Sequence, residues 1–447
     1  MTKVKIDRIA PEGAGVARLG PSNLVVFVPY AVPGDVLEIS LDEKRSSYAR
    51  GRIVQVLAPG PDRIEPRCPF HFAPGKSARA FCGGCDWQQL GYEAQLRLKR
   101  DIVVDCLKRL AGLNDVPVLP TIASPRQWGY RNKVQVPFGA GAVAGFYAPG
   151  SHRIVDLTEC AVQPELSVRI ILKAKDILRR DANPWLRHLL IRLNGRNRAL
   201  AAIVTKTRMI PPSGMVLSDE LRKAFPEIVG LHHNAQPEES SVILGPHWRK
   251  LWGADALETK LGAFSFLLSP ASFFQVNSGA AELLYDTALD FLRDGGARFD
   301  LALDLYCGVG PLAFWISRAV RTVIGVEENN AAVEDAWKNA RRNGVTNVDF
   351  LAMKTEAAVS RLSKRLEGRV AAVADPPRSG LSPAARNLLR HPAIRRLVYV
   401  SCDPATFARD AKETGRFGFK LSKVQPVDLF PQTSHVELVG LLDRSKT

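Results

Sequence analysis

The sequence lacks any run of ~18 uninterrupted apolar residues, the length a membrane-crossing helix needs. The sequence therefore predicts no transmembrane helix. The first residues, Met1-Thr2-Lys3-Val4-Lys5-Ile6-Asp7, lack the apolar core of a secretory signal. The expectation is a cytoplasmic chain with no membrane attachment. Cysteine is scarce and odd in number, seven among 447 residues. Without an export signal, a disulfide framework is a poor reading. No internal repeat and no low-complexity tract is present. Acidic residues are in deficit: 45 Asp and Glu face 61 Lys and Arg, leaving a formal charge of +16. That excess favours a polyanionic partner, nucleic acid above all. The bland alternative is a proteome rich in arginine. What remains is a folding composition, 46% apolar and 24% charged, which argues against disorder. At ~150 residues per domain the length allows two to four domains.

Turn residues divide positions 1–58 into five short strand-like runs, Val4–Ile9, Gly15–Arg18, Asn23–Val28, Val36–Asp42 and Ala49–Leu57. These predict a small closed barrel of the OB type, often a nucleic-acid platform. A generic barrel with no RNA role is the alternative. The join Ala58-Pro59-Gly60-Pro61 opens a second region, 59–262, with cysteines in its loops. Helical apolar spacing covers Tyr92–Leu110, and further helices are predicted near Gln163–Arg180 and Ser218–Ala224. The third region, 263–447, alternates helices with short apolar runs at Leu301–Leu305, Val323–Val326, Val348–Leu351, Val370–Ala374, Arg396–Ser401 and Leu438–Leu442. That pattern predicts a doubly wound, mainly parallel sheet. The expected fold class is multi-domain α/β: an OB-like barrel, a mixed central domain and a C-terminal Rossmann-like domain.

Several motifs carry chemistry. Phe81-Cys82-Gly83-Gly84-Cys85 points two thiolates at one centre, and Cys68, thirteen intervening residues upstream, can fold back as a third ligand. A distant Cys160 completes four, which suits zinc or an iron–sulfur cluster. Asp304-Leu305-Tyr306-Cys307-Gly308-Val309-Gly310 follows the first run, and Glu327 ends the second. With only two glycines the phosphate fingerprint is incomplete. A nucleoside cofactor without pyrophosphate, S-adenosylmethionine, fits better than NAD. Asp375-Pro376-Pro377-Arg378 ends the fourth run, where a doubly wound fold places its site. Cys402 ends the fifth, just before a helix whose dipole should lower its thiol pKa. Such a thiolate can attack a ring carbon. Glu437 opens the last strand as a candidate base, or as a solvated strand-end residue. The segment Arg126–Lys133 interleaves aromatics and cations, a mix that suits RNA or an ordinary core.

Taken together, these strings resemble the RNA uracil-5 methyltransferase family. The matching runs are Phe81-Cys82-Gly83-Gly84-Cys85-x-x-Gln88, Ser272-Phe273-Phe274-Gln275-Val276-Asn277, Asp304-Leu305-Tyr306-Cys307-Gly308-x-Gly310, Asp375-Pro376-Pro377-Arg378, Ser401-Cys402-Asp403-Pro404 and His435-Val436-Glu437. The resemblance implies a class I methyltransferase domain over 263–447 and a TRAM barrel over 1–58. It implies Cys402 as the nucleophile that adds to uracil C6, and Glu437 as the base that removes the C5 proton. By the same resemblance Gln275, Tyr306, Glu327 and Asp375 bind S-adenosylmethionine. Cys68, Cys82, Cys85 and Cys160 ligate a [4Fe–4S] cluster, which raises iron–sulfur above zinc. For the acidic contact of the third strand, Asp349 and Glu356 are both near. The barrel favours 23S rRNA as substrate, methylated by a monomer with no obligate protein partner. Alternatives are the uridine of the transfer-RNA T-loop, cytosine C5 methylation, or a non-catalytic RNA-binding or folding module.

Overall fold

The structure, a computed structural model, describes all residues except 21–22, 78–79, 180–184, 239, 364–365 and 445–447, together with the side chains of 356, 359 and 360. The first nine residues close a barrel by changing partners. Thr2–Lys5 pairs antiparallel with Val36–Lys44, and Arg8–Ile9 pairs with Gly15–Leu19. The switch falls between Ile6, whose N–H donates to Asp35 O, and Asp7, whose N–H donates to Val16 O. One predicted strand is thus two, and together they occupy both edges of a six-stranded sheet. Alternation sends Val4, Val26, Val28, Leu37 and Ile39 inward, while Lys3 and Lys5 face water. The Pro-rich join is fixed by buried Asp35, which accepts from Gly60 N–H (2.8 Å) and from the Arg63 guanidinium (2.6 and 2.9 Å).

The central region is a five-stranded sheet in the spatial order His247–Gly253, Ile228–Ala235, Ala199–Thr205, Leu186–Leu193, Lys133–Pro137. Helices Glu165–Leu178 and Pro212–Ala224 join one face of it in a core that includes Leu166, Ile170, Leu189, Ile203, Leu217 and Leu221. The second helix starts six residues before the sequence prediction. Pro212 sits in its first turn, where a missing N–H costs nothing.

The C-terminal sheet has seven strands: Phe299–Leu305, Val320–Glu327, Val348–Ala352, Val370–Ala374, Ile394–Ser401, Phe419–Val427 and Glu437–Arg444. In space they run third, second, first, fourth, fifth, seventh, sixth. The seventh runs antiparallel to both its neighbours, the fifth and the sixth, and the first five pair in parallel. The sixth went unpredicted because Lys420, Lys423 and Pro426 break its apolar pattern. The segment 117–122 runs along its outer side, joined by bridges Val118 to Val424 and Ile122 to Val427. The order reverses between the first and fourth strands, so a crevice opens at their carboxyl ends.

Helix Tyr92–Cys106 packs on this sheet although it lies far upstream. Ile102, Val103 and Cys106 share a core with Leu301, Leu303, Phe407 and Leu421. Lys99, fully buried, donates to Asp428 Oδ1 (2.5 Å) and to the Phe430 carbonyl (3.1 Å). Tyr92 OH donates to the other Asp428 oxygen at 2.9 Å. Removing one partner of a buried pair strands the other charge and costs ~3–5 kcal/mol. Lys99→Ala should therefore lower the denaturant midpoint sharply. Lys99→Met with Asp428→Leu should recover much of the loss, since neither charge is then left alone.

Candidate active site

The first strand of the C-terminal sheet runs into a turn that only unusual backbone can make. Tyr306 sits at φ 68°, Gly308 at 55° and Gly310 at 87°. An L side chain is strained there, and a glycine is not. The turn delivers the chain into helix Pro311–Ile316, with Pro311 at its first position. Glu327, ending the second strand, locks this turn. Its Oε2 accepts from Gly308 N–H (3.1 Å) and its Oε1 from Asn329 N–H (2.9 Å). Gln275 is buried in the loop before helix Ser278–Arg293, and Asn132 Nδ2 donates to its carbonyl at 3.0 Å. Asn277 caps that helix.

These residues meet in one cavity of about 830 Å³. Gln275, from a loop, and Tyr306, Glu327, Asp375, Cys402 and Glu437, from separate strand ends, all line it. Arg131, Phe273, Arg378, Phe430 and His435 line it as well. Phe273 is 72% exposed at the rim, an apolar ring left in water. Sequence reasoning gave Phe273 no role, although it stands in the Ser272–Asn277 motif. Of the two acids weighed near the third strand, Asp349 lies within that strand and the Glu356 side chain is outside the described residues.

Burial dominates the electrostatics. It pushes Asp375 up to about 7. Asp304 and Glu437 are also raised, first by burial and then by Asp375. Glu437 is 4% exposed, and its Oε2 has no hydrogen-bond partner. Cys402 corrects the sequence expectation: its thiol is pushed up to about 11, not lowered. Burial is the main cause, followed by Glu437 and Asp375, while Arg378 pulls the other way. Asp403 caps the helix that follows, accepting from Thr406 N–H at 2.8 Å. That cap adds another carboxylate beside the thiol.

A second, smaller cavity of about 40 Å³ gathers Cys68, Cys82, Cys85 and Cys160. All four thiols are free, and burial raises each, Cys82 to about 11 and Cys85 to about 12. Among the described residues, no group of three or more His, Cys, Asp or Glu side chains is placed to hold a metal ion. Arg131 lines this cavity as well as the large one. Sequence reasoning placed it only within an aromatic and cationic segment.

With its thiol near 11, Cys402 should react slowly with iodoacetamide at pH 8. Its rate, read by peptide mass mapping, should climb about tenfold per pH unit toward pH 10, as a thiolate nucleophile requires. Asp375→Asn should speed the reaction at pH 8, because a carboxylate ionised above about 7 no longer opposes the thiolate.

Known proteins account for the whole chain. Residues 254–445 match the tRNA (uracil-5-)-methyltransferase family, and residues 2–54 match the TRAM domain. An RNA methyltransferase of Halalkalibacterium halodurans is 35% identical over 99% of this chain and 97% of its own length. One of Gloeobacter violaceus is 38% identical over 99% and 96%. The solved structure of the Pyrococcus abyssi tRNA (uracil-54, C5)-methyltransferase, in complex with S-adenosyl-L-homocysteine, covers 99% of this chain and 100% of its own. Its TM-score is 0.74 at 25% identity. The chain therefore belongs to the RNA uracil-5 methyltransferase family, a S-adenosylmethionine-dependent RNA methyltransferase with an N-terminal TRAM domain.

Proposed function

We propose that this enzyme methylates C5 of a specific uridine in 23S rRNA through a covalent bond between Cys402 and C6. The observation that carries the reading is the shared cavity: a thiol, a carboxyl with a free oxygen and the Gln275, Tyr306, Glu327 and Asp375 set all face one space. The several buried carboxyls favour a cationic ligand and disfavour a pyrophosphate, which supports S-adenosylmethionine over NAD. When bound, S-adenosylmethionine supplies an electrophilic methyl group on a sulfonium.

In this reading, Cys402 loses its thiol proton to solvent, the thiolate sulfur adds to C6 of the uracil, and C5 gains the electron pair of the C5–C6 bond. C5 takes the methyl group as its bond to the sulfonium breaks, leaving a neutral thioether, and becomes tetrahedral. Glu437 Oε2 accepts the C5 proton, the C5–C6 double bond re-forms and the Cys402–C6 bond breaks. Arg378, the cation that lowers the Cys402 thiol pKa, favours the thiolate at the start and its release at the end. The base must leave its stack to enter the cavity, so the substrate is a flipped uridine from a loop or single strand. The charge of +16 holds phosphates. The working division is 1–58 for the barrel, 59–262 for the cysteine-bearing region and 263–447 for catalysis, with helix Tyr92–Cys106 packed on the last.

Transfer RNA is a second reading, favoured by one observation. The Pyrococcus abyssi enzyme, named for a tRNA uracil, covers 99% of this chain, barrel included. The barrel thus does not separate the two substrates, and methylation of each purified RNA by the enzyme decides between them.

The cysteine cavity suits a [4Fe–4S] cluster held by Cys68, Cys82, Cys85 and Cys160. A lone zinc ion needs four sulfurs within ~2.3 Å of one point. A cubane takes four thiolates at wider spacing, and the resemblance of the cysteine motif to the family's is what favours it here. Thiols raised this far keep their protons unless a metal centre displaces them. In this reading the cluster ties residues 68–85 to Cys160. Anaerobically purified protein should carry about four irons per chain and acid-labile sulfide. Stoichiometric zinc without sulfide would refute the cluster.

The catalytic roles separate in two variants. Cys402→Ala should give neither product nor adduct. Glu437→Gln should still attack and transfer the methyl group but stall at elimination, so a methylated RNA–protein adduct survives denaturing electrophoresis. Its turnover should fall at least the ~10²–10⁴-fold typical of a lost general base. Wild-type turnover without adduct in Glu437→Gln would sink the assignment.

A further inference from the structure

The loop that leads into Glu437 is held from outside the catalytic domain. Trp87 N–H donates to the Gln432 carbonyl at 3.1 Å. Ser434 N–H donates to Asp86 Oδ1 at 2.9 Å. Gln95 clasps Gln432 twice, accepting from its N–H (2.9 Å) and donating to its Oε1 (3.1 Å). Gln432 itself sits at φ 71°, a strained value for a side chain with a Cβ. Such backbone persists only where its surroundings over-determine it, and here the surroundings come from residues 86–95.

The barrel reaches the same spot. The Gly13 carbonyl accepts from Trp87 Nε1 at 3.1 Å. A Cβ on Gly13 would lie 2.4 Å from Ser434 Cβ and 2.9 Å from Asp86 Oδ2. Gly13 also has φ +87°, so its lack of a side chain serves both its own conformation and the closeness of Ser434. Barrel turn, cysteine turn and catalytic loop thus meet at one point, three residues before Glu437.

We propose that Asp86 and Gly13 are positioning residues for Glu437, so that the cysteine turn and the barrel form part of the catalytic apparatus. This rests on the reading of Glu437 as base. Asp86 fixes the Ser434 amide, and Gly13 leaves the room that lets Ser434 sit there. The three intervening peptide units then set where the Glu437 carboxyl faces Cys402. Neither Asp86 nor Gly13 lines the cavity, so neither needs to touch RNA or S-adenosylmethionine to act.

The test compares Asp86→Ala, Asp86→Asn and Gly13→Ala in the full-length enzyme. Steady-state kinetics are measured on the RNA that the wild type methylates, with hydrogen exchange followed over residues 432–437. Asp86→Ala and Gly13→Ala should lower kcat at least tenfold, shift KM for RNA and for S-adenosylmethionine less than threefold, and speed exchange in the loop. Asp86→Asn, whose amide oxygen still accepts, should recover most of kcat. Wild-type kcat in Asp86→Ala would overturn the proposal, as would a loss confined to KM or unchanged exchange in both variants. Should Asp86→Ala fail to fold, Gly13→Ala carries the same comparison from a different segment. If the wild type methylates neither RNA, the reading of function fails, and exchange alone then judges the positioning.

Discussion

An ion pair sealed from water commits the cysteine-bearing half of the chain to the catalytic half. Lys99 and Asp428 are both fully buried, and each is intolerable there without the other. The pair does more than add stability. Lys99 also binds the Phe430 carbonyl and Asp428 takes the Tyr92 hydroxyl, so one helix grips the segment after the sixth strand at several points. Apolar packing of Ile102, Val103 and Cys106 would let that helix slide by small amounts. A charge that must meet its partner fixes the register. From this fixed helix Gln95 reaches Gln432, and the catalytic loop inherits the alignment.

The cavity so framed is unusual in its charge balance. The protein as a whole is strongly basic, yet Asp304, Glu327, Asp375 and Glu437 all line this one space. Arg131 and Arg378 line it too, so the cavity brings acids and cations together in one place. Burial first, then Glu437 and Asp375 among these carboxyls, keeps the Cys402 thiol protonated. A thiol kept neutral is less exposed to stray alkylation and oxidation. Its high pKa also makes it a strong nucleophile once the proton is gone.

Much of this was legible in the sequence because it is local. Strand ends, glycine turns and the residues that follow them mark a doubly wound sheet, and Tyr306, Glu327, Asp375 and Cys402 each stand at such an end. The barrel strands were readable from alternation and turn residues, except that the first strand is two. Nothing local announces a change of partner between Ile6 and Asp7. The sixth C-terminal strand hid behind two lysines and a proline. The thiol pKa of Cys402 was misjudged because sequence shows a helix start but not the carboxyls folded beside it. Asp86 and Ser434 are 348 positions apart, and no periodicity links them. The double position of Arg131, between the two cavities, was invisible for the same reason.

The closing of the catalytic loop by Gly13, Asp86 and Trp87 also orders events in time. Chains fold in the order in which they leave the ribosome, N-terminal parts first. Gly13, Asp86 and Trp87 precede residues 432–434 in the chain, so the clamp is synthesised before the loop it grips. A nascent chain can therefore hold a finished barrel and a finished cysteine turn, and the loop before Glu437 closes onto a surface that already exists.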